Sequence, residues 1–482
     1  MSKIASSIFI VGGEKIVMMI LQFLGNIILA RILSPDDYGT ISMVAVFIAL
    51  STIFVDSGLG GSLVYYKDTN KKDYNTVFWF NLIVSVLIYF ILFVSSDFVG
   101  AFYNNNQISN IVKVLGLVIV FNSFSVVQYS ILYKELKFKA IAITSIISYC
   151  ICFLVSLTLA INGFGVWALV AQQVFHSIIN TIILVFYTKF IPGFNISFIL
   201  LKKHWTFGKG CLGSSIVKTI YENIYLQITG KYCSIFNAGL FNQANKMKNI
   251  PVDLFCQTFE KALFPLLAKC DKKEFNSKLK KISSFFSFFV IPIFISISIS
   301  SEVIVNILLG EKWLSSSWIL SLLSIGGIFM VFEAVNRSAL KACGKTQVLF
   351  KIELLKRSIS VLIIFLSLFY FDLEGIVFAF IFNSIMGWIF NCFFINKFSD
   401  YTLFNQIKDL MYYFIPSIII LLIIYTVKDE FSLDLIDICL INCIYLISYF
   451  GFYYLIKNEV MKIILGLIKT NLTSSKNITN EK

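Results

Sequence analysis

The sequence predicts an all-α polytopic membrane protein of about fourteen transmembrane helices, in two pseudo-symmetric six-helix lobes plus two extra C-terminal helices. Three observations predict it. Runs of about twenty apolar residues return roughly every thirty positions, the length an α-helix needs to cross the hydrocarbon layer. Lys and Arg collect in alternate gaps between the runs, as they do when one set of loops stays cytoplasmic. Finally, 58% of the 482 residues are hydrophobic and only 14% charged, with a mean hydropathy of +0.83. That leaves too little polar surface to coat a soluble globule, so a water-soluble fold is excluded.

In chain order the runs lie at roughly 8–30, 40–63, 77–96, 111–133, 140–161, 165–188 and 206–230. They continue at roughly 237–267, 282–308, 318–340, 349–371, 375–396, 410–427 and 435–456. Ile8 to Ala30 is too long for a cleaved signal core and lacks a small-x-small exit before Arg31, so it reads as the first span. With the N-terminus inside, inner connections hold Lys67, Lys71, Lys72, Lys134, Lys137, Lys139, Lys189, Lys202 and Lys203. Further on they hold the cluster from Lys269 to Lys281, then Lys341, Lys345, Lys397, Lys408 and the tail from Lys457. Outer connections keep only Arg31, Lys231, Lys312 and Lys428. Such asymmetry requires an even number of spans with both termini cytoplasmic. The outer connections are also short, Asn162-Gly163 or Asp372-Leu-Glu for instance, which excludes a large outer domain.

Sliding the sequence by 200 residues aligns Gly13 with Gly213, Ile16 with Ile216, Val17 with Val217, Ile20 with Ile220, Ile28 with Ile228, Arg31 with Lys231, Ser34 with Ser234 and Gly39 with Gly239. Six helices separate the copies, so both repeats enter the membrane in the same sense and an axis along the membrane normal relates them. The organisation that follows is a lobe at 1–200, a second lobe at 201–400, two additional spans at 401–456 that read as a peripheral addition, and a cytoplasmic tail at 457–482.

Charge inside a span is costly, about 2.5–3.5 kcal/mol at the bilayer centre on insertion scales, so polar helices mark surfaces facing water or protein. Three helices qualify. The first carries Glu14, Lys15, Gln22 and Asn26, with Arg31 at its outer end. On the seventh, Lys218, Glu222 and Tyr225 share a stripe, and Lys218 and Glu222 form an i,i+4 pair. The eighth repeats Asn242, Lys246, Asn249, Asp253, Gln257 and Glu260 along one face. Together these stripes describe the wall of an aqueous cavity; the alternative for the seventh and eighth runs is an amphipathic pair lying on the inner membrane surface. Pro251 predicts a kink in the eighth helix, either a hinge or local packing relief. Asp56 sits near the inner end of the second span, at a helix terminus or a cavity mouth. His176 reads as a packed, neutral imidazole rather than a proton relay. Of Glu333, Arg337, Lys351, Glu353, Lys356 and Arg357, most read as side chains that snorkel to the inner headgroups.

Other chemistries find no footing in the sequence. The ten cysteines include no CxxC pair, and those such as Cys211, Cys392, Cys439 and Cys443 lie in spans, where they read as buried thiols. A Walker A loop, a GxGxxG after a strand and an HExxH are all absent, so no cofactor is implied and an ATP-driven pump or a metalloenzyme is not expected. The net charge of +13 lies beside apolar runs, where inner-leaflet lipid explains it without a nucleic-acid role.

Several strings are more specific. ILARILSPDDYG from Ile28 to Gly39, DSGLGGSLV from Asp56 to Val64, AGLFNQA from Ala238 to Ala244 with Ile250-Pro251, LFPLL from Leu263 to Leu267 and LGEKW from Leu309 to Trp313 occur in order over most of the chain. In them the chain resembles the Wzx-type polysaccharide transporters of the MOP flippase superfamily, the colanic-acid-exporter-like branch above all. The resemblance implies a non-enzymatic flippase of the bacterial inner membrane that moves undecaprenyl-pyrophosphate-linked repeat units of O-antigen, capsule or exopolysaccharide by alternating access. It also implies membrane lipids, a polysaccharide polymerase and a chain-length regulator as partners. Under it, Lys15, Gln22, Asn26, Arg31, Lys218, Lys231, Lys246 and Asn249 are the candidates for the substrate pathway. Glu14, Asp56, Glu222, Asp253 and Glu260 are the candidates for charge balance or ion coupling. Two alternatives are a cation-coupled multidrug exporter of the same superfamily, which wants an aromatic cavity with one or two acids, and a lipid-linked peptidoglycan-precursor flippase, which differs in headgroup.

Overall fold

The computed structural model describes residues 2–56, 58–426, 435–463 and 466. Every regular element among them is helical: α1 (Ser2–Ile32), α2 (Pro35–Asp56), α3 (Leu59–Tyr65), α4 (Lys71–Phe102), α5 (Asn106–Leu115), α6 (Leu117–Lys134), α7 (Phe138–Ile161) and α8 (Val166–Thr188). These are followed by α9 (Phe198–Ile228), α10 (Ile235–Ala268), α11 (Lys272–Ile299), α12 (Ser301–Leu309), α13 (Ser317–Ala342), α14 (Thr346–Ile395), α15 (Leu403–Thr426) and α16 (Leu435–Leu455). Among the described residues, ten stretches have the length and apolarity of a membrane span, so the protein is multi-pass. Although α9 and α10 have 31 and 34 residues, their polar stripes keep them outside that set. The long α14 is two helices joined at Asp372, whose φ of 45° and ψ of −126° break it into arms 346–371 and 373–395 at the predicted outer connection. Only glycine fits the turn that follows, because a Cβ on Gly375 would lie 2.1 Å from the Ser367 carbonyl oxygen.

The helices pack as two compact units, one of residues 1–242 with 308–312, the other of 243–307 with 313–482. The division falls after Asn242, not at 200, since α9 packs along α2, α3 and α4 of the first unit.

Within the first unit the 200-residue repeat becomes a physical contact. A Cβ on Gly39 would sit 1.9 Å from the Ile235 carbonyl oxygen, and one on Gly239 would sit 1.9 Å from that of Pro35. Residues 35 and 39 thus meet 239 and 235 reciprocally, the relation a two-fold axis produces. Asn242 Nδ2, one turn on, donates to Ser42 Oγ at 2.6 Å, again a pair offset by 200.

In the second unit α11 packs on α13, α15 and α16, and α13 packs along α14. The last two helices are held more firmly than a peripheral addition requires. Tyr445, Tyr449 and Tyr453 recur one turn apart on α16 and are fully buried; the last two pack with Phe288 of α11, and Tyr453 also packs with Tyr413 of α15. Aromatic rings bury large areas at low conformational cost, so this seam binds α15 and α16 to the unit's core. The tail beyond 466 lies outside the described residues.

Candidate functional site

A cavity of about 560 Å³, with polar side chains set in a largely apolar wall, opens in the first unit between the α2–α3 junction, α6 and α8. Gly58, with φ of 68°, ends α2 and turns the chain into α3, which leaves Asp56 at the cavity wall. Behind it Gly60 lets α3 lie directly on α6, where Ser130 Oγ donates to the Gly60 carbonyl at 3.0 Å. Across the cavity Tyr129 Oη donates to Asn180 Oδ1 at 3.0 Å. On α7, Ser145 Oγ donates back to the Ile141 carbonyl at 3.0 Å. Asn122, Tyr133 and His176 line the cavity with side-chain polar atoms that make no hydrogen bond among the described residues. Such a volume lies within the usual range for ligand pockets, and its carboxylate, amides and phenols suit hydroxyl-rich or hydrated cationic guests.

On α1, Lys15 and Gln22 are exposed and Asn26 is half-buried, its carbonyl accepting from Tyr38 Oη at 3.3 Å. Lys218 and Glu222 of α9 form the expected pair at 3.7 Å, both side chains well exposed. Arg31 and Lys231 are engaged with main chain. Arg31 Nε donates to the Leu308 carbonyl at 3.1 Å, at the C-terminal end of α12. Lys231 Nζ donates to the Phe102 carbonyl, ending α4, and lies over the Phe102 ring. Lys312 returns the contact, donating to the Ile32 and Leu33 carbonyls at 2.8 and 3.2 Å. All three cations therefore cap helix C-termini, where unsatisfied carbonyls and the helix dipole favour positive charge.

The second unit carries the rest of α10. It runs helical through Pro251, with Lys246 and Asp253 exposed and Asn249 half-buried, so these three share one face as their spacing predicts. The side chain of Glu260 lies outside the described residues. On the opposite face is a residue the spacing passed over. Lys248 is 1% exposed, 4.4 Å above the Phe380 ring and 3.6 Å from the Met330 sulfur. With its cation inside unit 2 against α13 and α14, α10 is packed into the bundle rather than beside it.

Two further polar groups depart from the sequence reading. Lys356 does not snorkel: its Nζ is 2.5 Å from Glu333 Oε1, with both side chains about nine-tenths buried. Glu353 binds the same lysine at 3.7 Å and Arg357 at 3.5 Å. The pair fits because α14's second arm presents Gly387, where a Cβ would lie 2.4 Å from Glu333 Oε2. In the first unit His204 of α9 is fully buried, Nδ1 2.7 Å from Ser62 Oγ and Nε2 3.0 Å from Asp73 Oδ1. It staples α9 to α3 and to the start of α4, whose N-terminus Asn70 and Asp73 close as a capping box.

The sequence model of a family described as "Polysaccharide biosynthesis protein" matches residues 28–318. The chain belongs to that family. Among its relatives, the succinoglycan biosynthesis transport protein ExoT of Rhizobium meliloti is 24% identical over 68% of this chain and 67% of its own. The lipopolysaccharide biosynthesis protein WzxC of Escherichia coli is 23% identical over 68% of each chain. The fold is that of the lipid II flippase MurJ in an inward closed conformation, with a TM-score of 0.76 and 16% identity over 93% of this chain and 99% of that one. It is shared with an inward-facing multidrug resistance MATE transporter of the MOP superfamily, at a TM-score of 0.60 and 11% identity over 81% and 98%.

In this member of the family the matched stretch contains the whole Asp56 cavity, the three capping cations and the polar face of α10. Glu14, Lys15, Gln22 and Asn26 precede it, and the Glu333–Lys356 pair follows it.

Proposed function

We propose that the chain is a flippase, without enzymatic activity, that moves undecaprenyl-pyrophosphate-linked oligosaccharide repeat units from the inner to the outer leaflet of a bacterial cytoplasmic membrane. Both termini are cytoplasmic in this reading, and a polymerase and a chain-length regulator receive the product. Membership of a polysaccharide family whose relatives are named as transport proteins carries the reading. The multidrug transporter shares the fold alone. Physically, a pyrophosphate-bearing glycan loses its water partners in hydrocarbon, and hydroxyls and charges without partners there cost several kcal/mol each. The exposed polar stripes of α1, α9 and α10 offer replacements while the polyprenyl chain stays in lipid. In the first unit Lys15 and Lys218 are the proposed cations for the headgroup, and in the second unit Lys246 is the proposed cation of its own polar face. Arg31 and Lys231 act by releasing their helix ends as the protein rocks.

Deleting the gene is expected to leave lipid-linked repeat units on the cytoplasmic leaflet, and restoring it to return them to the outer one. Equal outward exposure in both strains would falsify the reading.

Asp56 on the cavity wall and Glu14 on α1 are the proposed coupling acids. A coupled charge contributes about 2.3 kcal/mol per 100 mV, which is about 50-fold in the gradient sustained. Asp56→Asn is therefore expected to lose up to about that factor in gradient-driven uptake by proteoliposomes while keeping its unfolding temperature. Full driven uptake by this variant would remove Asp56 from coupling.

A further inference from the structure

At the lysine-rich end of the second unit, the start of α11, the start of α15 and the end of α16 enclose a cup of about 490 Å³. Ser277, Lys280, Lys281 and Ser284 line it from α11 at i, i+3, i+4 and i+7, the spacing of one helix face. Lys457 enters from the turn after α16, where its φ of 56° reverses the chain.

Three lysines therefore face two carboxylates, Asp409 and Glu459. One of the acids is already occupied, since Tyr401 Oη donates to Asp409 Oδ2 at 2.7 Å. Burial holds the Tyr401 phenol well above its ordinary pKa, so it remains a donor. Lys280, Lys281 and Lys457 form no ion pair among the described residues, and all three are exposed. The frame around them is fixed: Asn458 Oδ1 accepts from the Val460 amide at 2.8 Å, and Asn458 Nδ2 donates to Tyr413 Oη at 3.3 Å, above the buried tyrosine seam. On the rim, Ile456 and Ile463 are about half exposed, an apolar margin beside a cationic cup.

Unpaired ammonium groups and hydroxyls at the polar end of three helices, bordered by open apolar surface, match a molecule with an anionic head and hydrocarbon tails. We propose that this cup binds the headgroup of an anionic phospholipid of the phosphatidylglycerol class, its phosphodiester on Lys280, Lys281 and Lys457 and its acyl chains along Ile456 and Ile463. The net positive lining selects against zwitterionic lipids. The tails separate the site from one for free phosphate, and the assignment is independent of what the protein transports.

Native mass spectrometry of the full chain in neutral detergent tests this with phosphatidylglycerol, phosphatidylethanolamine, phosphatidylcholine, undecaprenyl pyrophosphate and glycerol 3-phosphate as probes. Phosphatidylglycerol is expected to bind at least tenfold more tightly than either zwitterionic lipid, with glycerol 3-phosphate weaker still. Each of Lys280→Gln, Lys281→Gln and Lys457→Gln is expected to weaken it about fivefold, whereas Lys72→Gln in the first unit leaves it unchanged. Should these variants not fold, a salt titration of the unaltered protein decides the matter, because the preference must fade as salt screens it. Equal affinity for phosphatidylglycerol and phosphatidylcholine would overturn the proposal, as would a preference that survives the lysine changes. Glycerol 3-phosphate or undecaprenyl pyrophosphate binding as tightly as phosphatidylglycerol would overturn it in favour of another phosphate ligand.

Discussion

Lys356→Met is expected to destabilise the second unit by about 3–5 kcal/mol, the usual cost of removing one partner from a buried ion pair. Glu333 would keep its negative charge at 9% exposure with its 2.5 Å partner gone. Helix α14 cannot move a replacement in, because Gly387 already places backbone against the carboxylate. Among the cations nearby, Arg357 is bound to Glu353 at 3.5 Å. Glu333→Leu with Lys356→Met together is expected to recover most of the loss, since two apolar side chains of similar volume leave no charge to solvate. Thermal unfolding in detergent reads the difference, a fall on the order of 10 °C for the single variant. A single variant that melts with the parent would mean that the pair contributes nothing, as most exposed pairs do.

What is legible in the sequence and what is not divides along a physical line. Periodicity carries the faces of helices, so the Lys218–Glu222 pair and the shared face of Lys246, Asn249 and Asp253 on α10 follow from spacing. What lies behind a face is set by other helices. Lys356 looks like a snorkelling lysine along its own helix, and only the approach of Glu333 from α13 keeps it inside. Lys248 is hidden for the opposite reason: it stands off the polar stripe, among Ala244, Met247 and Val252, and its partners Met330 and Phe380 come from 82 and 132 positions away. A lysine out of register with a polar stripe is the one available signal. His204 is equally silent, its partners Ser62 and Asp73 lying more than a hundred residues upstream. Arg31 and Lys231 show a subtler limit. Their positive charge is legible, but the negative ends of α12 and α4 that bind it are main-chain groups, which no side-chain pattern records.

The repeat contact supplies the other large effect. Gly39→Ala and Gly239→Ala are each expected to abolish export in cells, although one methyl group is a conservative addition almost anywhere else in the chain. In each case the new Cβ would fall 1.9 Å from a backbone carbonyl oxygen, which no rotamer change can clear, so the starts of α2 and α10 must separate by more than 1 Å. Overpacking of this kind costs about 1–3 kcal/mol, and the Ser42–Asn242 bond one turn away adds about 1 kcal/mol when it opens. Those sums, about 2–4 kcal/mol, shift an equilibrium between two arrangements by roughly 30- to 1,000-fold, enough to empty the one in which the repeats touch. Because one separation relieves both clashes, the double variant is expected to be no worse than either single, a departure from additivity that marks a shared contact. Gly13→Ala and Gly213→Ala are the matched controls: they too are a pair offset by 200, yet a Cβ at either meets nothing within 4 Å. Surface display of polysaccharide in a complemented deletion strain, read beside the amount of protein in the membrane, separates loss of transport from loss of folding. Normal display by Gly39→Ala at normal protein level would show that the repeats need not meet for the protein to work.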